Sequence, residues 1–103
     1  MNKLYREVSV WKRRDDRQAR RFRCLEDLQS GLYCVQSADV YTLPITSAHL
    51  AQLDQQFVEL LIEMDPLERC RWYGSLAEAV AEHEKEFAAM ISAVLASEGR
   101  EPN

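Results

Sequence analysis

Strands first and helices afterwards, an α+β fold in a single domain over residues 1–103, is the architecture this sequence predicts. Three observations carry it. Residues 1–43 are dense in arginine, aromatic and β-branched side chains that alternate in polarity. From Pro44 onward, apolar residues recur at spacings of three and four, the period of a helix face. Charge is also divided. Residues 1–25 hold nine Lys/Arg against three Asp/Glu, net +6, whereas residues 26–103 hold four against fourteen, net −10. The expected form is a three-stranded antiparallel meander with room for a short fourth strand, then two long antiparallel helices separated by a short one. Residues 1–43 form the basic meander, 44–97 the acidic helical part and 98–103 a loose tail.

Leu4–Lys12 reads as the first strand, with Leu4, Val8 and Val10 on one face and Tyr5, Glu7, Ser9 and Trp11 on the other. Residues 13–19, RRDDRQA, have no apolar side chain larger than alanine and make a turn. Arg20–Glu26 resumes the alternation, Phe22 and Cys24 on one face and Arg21 and Arg23 on the other. A one-residue slip swaps every side chain between faces, so the register can be argued. Pairing Val10 with Phe22 and Val8 with Cys24 keeps all four on the core side. It sets Trp11 opposite Arg21 and Ser9 opposite Arg23 on a solvent face, with a loop of three or five residues around Asp16. A two-residue turn at Asp15-Asp16 would set Val10 against Arg21 and is rejected.

Residues 26–31, EDLQSG, supply the second turn, with Gly31 free to take a positive φ. Leu32–Gln36 is the third strand; its apolar run is too continuous to assign faces. Ser37-Ala38-Asp39 marks a bulge or an end, and Val40–Leu43 a continuation or a short fourth strand. Pro44 stops the pairing by removing a donor.

Thr46 or Ser47 caps the first helix, whose apolar side chains are Leu50, Leu53, Phe57, Leu60, Leu61 and Met64. Asp65-Pro66 restarts helix, with Asp as cap and Pro at the first position, and residues 66–73 form a short helix ended by Gly74. Ser75 caps the last helix, with a stripe of Leu76, Val80, Phe87, Met90, Ile91, Val94 and Leu95. The two long helices are expected to lay their stripes on the sheet.

Several function classes find no support. Three glycines cannot build a phosphate-binding loop or a nucleophile elbow. His49 and His83 have no second His/carboxylate pair at helical spacing, so neither a metal nor a cofactor is expected. No apolar run approaches the ~18–20 residues that cross a membrane, and the N-terminus has no apolar core of a secretory signal. Cys24, Cys34 and Cys70 form no C-x-x-C pair and suit reduced thiols, so the chain reads as cytoplasmic. Cys24 and Cys34 could face each other across a hairpin, but two small buried side chains are the simpler reading. Likewise Trp72-Tyr73 reads more readily as rings packed in the corner between helices than as an exposed anchor.

What remains is a binding surface. Tyr5, Trp11, Arg21 and Arg23 share the predicted solvent face, with Arg13, Arg14 and Arg17 at its rim. Trp, Tyr and Arg are the commonest interface anchors. Glu78, Glu82 and Glu86 recur every four residues on the last helix, a repulsive row that a positive partner would relieve. The expectation is a small non-enzymatic protein that binds another protein or its own copy as a homodimer. Nucleic-acid binding through the basic aromatic hairpin is the alternative, disfavoured by a pI of about 5.2.

Overall fold

A computed structural model describes residues 3–97. Three antiparallel strands, β1 (Tyr5–Arg13), β2 (Gln18–Asp27) and β3 (Tyr33–Thr42), lie in sequence order. They are followed by α1 (Ser47–Glu63), the short α2 (Pro66–Arg69) and α3 (Leu76–Ser97). The α+β arrangement, with a short helix between two long ones, is therefore the one expected. The loose tail expected over 98–103 lies outside the described residues. Among the described residues, no helix is long and apolar enough to cross a membrane.

The first hairpin has the register argued from burial. Val8 faces Cys24, Ser9 faces Arg23, Val10 faces Phe22 and Trp11 faces Arg21. Arg13 pairs with Ala19, leaving the five residues Arg14–Gln18 as the connection. Asp15 braces it by accepting from the Arg17 amide at 2.8 Å. In the second turn Gly31 takes φ 74°, and its amide donates to the Asp27 carbonyl at 2.8 Å. The Asp27 carboxylate, buried here, accepts from the Gln29 amide and from Lys3, which together hold its pKa below the ordinary carboxylate value.

β3 runs unbroken to Thr42, so Val40–Thr42 is its continuation and not a fourth strand. A bulge makes this possible. Cys24 pairs with Val35 and Arg23 with Ser37, leaving Gln36 as the extra residue. Its buried side chain donates to the Phe57 carbonyl. Cys24 and Cys34 consequently do not face each other. Cys34 pairs with Leu25, and the pleat sends the two thiols to opposite faces.

Two expectations about packing are corrected. The face assigned to solvent is covered, because α1 lies on it: Arg23 and Leu25 meet Asp54 and Phe57 there. The even-numbered face carries α3, with His83 edge-on to Phe22 and Phe87 under the Arg20 guanidinium. Adjacent β2 residues point to opposite faces, so the two long helices flank the sheet and do not share one side of it. This is why half of β2 is buried and none of it is fully exposed.

The middle helix is also shorter than expected. Thr46, Asp65 and Ser75 cap the three helices through their side-chain oxygens. Helix α2, however, ends at Arg69, and residues 70–73 run extended. Tyr73 and Tyr33 exchange both backbone hydrogen bonds, at 2.7 and 2.8 Å, which places this linker along the open edge of β3. Backbone pairing to a free strand edge thereby displaces one further helical turn. Trp72 is half-buried against β1, not between the long helices, stacked 6.0 Å from Tyr5 and donating to the Pro66 carbonyl.

Candidate interaction surface

The central β2 strand carries the arginines that the sequence offered to a partner, and the fold gives them internal ones. Arg23 is 3% exposed. Its guanidinium donates to Asp39 at 3.1 Å and to Asp54 at 2.6 Å, and lies 5.2 Å above the Phe57 ring. Burial alone would lower the Arg23 pKa, but the hydrogen bonds with Asp54 and Tyr41 outweigh it and raise it. Arg23 thus belongs to the core and not to the solvent face expected of it. The sequence signal was Asp54, set among the apolar positions of α1 one turn before Phe57.

Arg21 is half-buried beside it. It donates to Ser9 at 3.0 Å, pairs with Glu7 at 3.6 Å and stacks 5.3 Å from Trp11. Trp11 in turn lies 5.3 Å from Tyr41, and with Ile45, Leu50, Arg21 and Asp54 lines a surface hollow of about 430 Å³. Tyr5 is half-buried against Trp72, away from this hollow. Arg13, Arg14 and Arg17 remain exposed at the hairpin tip, Arg17 donating to the Leu43 carbonyl at 3.0 Å.

The acidic row meets cations of its own chain. Glu86 pairs with Arg71 at 3.5 Å and Glu82 with Lys85 at 3.4 Å, while the neighbouring Glu84 holds Lys12 of β1 at 2.9 Å. Glu78 is exposed in the first turn, where a negative charge favours the helix dipole. The basic hairpin and the acidic helix therefore touch at Lys12–Glu84, while Arg21 and Arg23 point to the opposite face.

Two features emerge that motif reading did not single out. The first is the second half of α3. Residues 88–97, AAMISAVLAS, carry no charge, and all except Leu95 are exposed. With Phe87 they present Met90, Ile91 and Val94 at 39–54% exposure. More broadly, seven apolar residues are buried among the described residues, while sixteen large apolar side chains stay exposed. The helix periodicity gave the stripe, but not that its second half runs past its cover.

The second is a cleft of about 460 Å³ along the open edge of β3, lined by Arg69, Cys70, Arg71, His83 and Glu86 among others. Cys70, on its wall, also packs against the buried cluster of Leu25, Cys34 and Phe57. Arg69 donates to the Cys70 sulfur at 3.7 Å. Burial and the nearby Arg20 lower the His83 pKa, favouring neutral imidazole. No known family model, curated protein or solved structure matches this chain.

Proposed function

We propose that this chain works by binding protein and that its first partner is a second copy, joined through the second half of α3. The uncharged segment 88–97, exposed around the helix, is the observation that carries this reading. Soluble helices keep charge on the face turned to water, and this one has none to turn. Phe87, Met90, Ile91 and Val94 recur at i, i+3, i+4 and i+7, the seam along which helices pair. Ala88, Ala89, Ala93 and Ala96 are small enough to let a second helix approach closely. Two-fold pairing would set the same stripe against itself, which requires no complementary charge. The radius of gyration, 15.5 Å, exceeds the ~13 Å of a compact domain of this length, as a helix running past its sheet would produce.

A protein partner is favoured over a nucleic acid because Arg21 and Arg23, the centre of the basic hairpin, already hold carboxylates. The exposed rim cations Arg13, Arg14 and Arg17 are what the hairpin tip offers to phosphate.

Light scattering after size exclusion, across protein concentration, tests the reading. The expected result is a dimer that Ile91→Glu or Met90→Glu converts to monomer with unchanged helix content. A wild-type chain that stays monomeric at every concentration would overturn the second-copy interface. Dimers that survive both substitutions would place it elsewhere.

A further inference from the structure

The fold sorts three thiols into different environments. Cys24 is fully buried on the α3 face, and burial pushes its pKa up to about 11. It is an inert core side chain. Cys34 is also fully buried, but on the α1 face, in the cluster of Leu25 and Phe57. Cys70, at the C-cap of α2, packs against that cluster and is half-buried. It opens onto the 460 Å³ cleft along β3.

We infer that Cys70 is a peroxide-reactive thiol and Cys34 its resolving partner, so that a hydroperoxide closes a disulfide between β3 and the α2–α3 linker. The geometry supplies each requirement. The cleft leads small molecules to the Cys70 sulfur. Arg69 lies against that sulfur, and its guanidinium is fixed by donating to the Gln36 carbonyl at 2.9 Å. Arg71 adds a second cation at the mouth, partly answered by Glu86 at 3.5 Å. Tyr73 of the linker and His83 of α3 complete the titratable lining. Cys70 packs against the buried cluster that contains Cys34.

The charge environment agrees with these roles. The Cys34 hydrogen bond lowers the Cys70 pKa most, burial opposes it, and the charge of Arg69 lowers it further. Cys34 is shifted the opposite way, first by its interaction with Cys70 and then by burial.

The chemistry balances in two steps. The Cys70 thiolate attacks the outer oxygen of the hydroperoxide. An S–O bond forms and the O–O bond breaks, two electrons pass from sulfur to oxygen, and the alkoxide or hydroxide leaves to take a proton from water. Cys34 then attacks the Cys70 sulfenic sulfur. The S–S bond forms, the S–O bond breaks, and the Cys34 proton leaves with the hydroxyl as water.

Treatment of the full chain with hydrogen peroxide, followed by non-reducing peptide mapping, tests this. The expected product is a Cys34–Cys70 cross-link with loss of two hydrogens and an unmodified Cys24. In Cys34→Ser, dimedone should trap Cys70 sulfenic acid with no cross-link. In Cys70→Ser, peroxide consumption should fall by about tenfold, since only buried thiols remain. Iodoacetamide labelling of Cys70 should show a pH midpoint below the ordinary thiol value of about 8.5, rising in Cys34→Ala. The inference is overturned if folded protein leaves Cys70 unoxidised, if Cys24 reacts as fast, or if the cross-link joins another pair.

Discussion

At the scale of single residues, Arg23 shows how a charge can be a core side chain. Two carboxylates and an aromatic ring surround it, so removing it leaves Asp39 and Asp54 facing a hollow beside Phe57. Breaking a buried pair from one side costs about 3–5 kcal/mol, so Arg23→Ala should lower stability by that order in urea titration. Asp54→Asn should cost less, because the Asp54 side chain is 65% exposed and water can replace part of the interaction. The pH dependence follows from the same contact. The Arg23 hydrogen bond lowers the folded-state pKa of Asp54 below its unfolded value. The stability it contributes is therefore present above about pH 3.9 and is lost as pH falls through the folded pKa. Acid titration of wild type and Asp54→Asn should converge in that range, and parallel curves down to the lowest pH would contradict it. Read from the sequence, Arg23 looked solvent-facing because alternation registers polarity and not pairing. A buried guanidinium with two carboxylates gives the same letter pattern as one in water.

At the scale of elements, the two long helices are anchored differently. Phe57 is the buried residue of α1, and Ala79 that of α3. Phe57→Ala should cost about 3–5 kcal/mol and loosen α1 from the Arg23 face. Ala79 is 1% exposed on the wall of the β3 cleft, and a larger side chain there would have to displace the neighbours that bury it. Ala79→Leu should destabilise by about 1–3 kcal/mol through overpacking, read from the shift in the denaturation midpoint. The linker between α2 and α3 is held by its backbone. Tyr73→Pro removes the donor to the Tyr33 carbonyl, and hydrogen exchange along β3 from Tyr33 to Gln36 should quicken if that pairing covers the edge. The first hairpin was legible in this detail because one buried face selects one register. The linker was not, because Arg69–Tyr73 has helical propensity and only the open edge of β3, distant in sequence, competes for its backbone groups.

At the scale of the whole molecule, more large apolar side chains are exposed than buried among the described residues, and the proposed dimer would cover one group of them. If the second copy completes the core, the melting temperature should rise with protein concentration, and Ile91→Glu should abolish that dependence. The sequence by itself determined the strand and helix order, the hairpin register and the helix caps. Each of these follows from local periodicity, capping chemistry or composition. Only the tertiary structure decided that the helices flank the sheet, that Arg23 is buried and that Cys70 packs on the cluster around Cys34. Each of those depends on which distant side chains a pleated strand brings together. Period-two alternation states that two faces differ, but a face covered by an acidic, amphipathic helix can carry arginine and still be core.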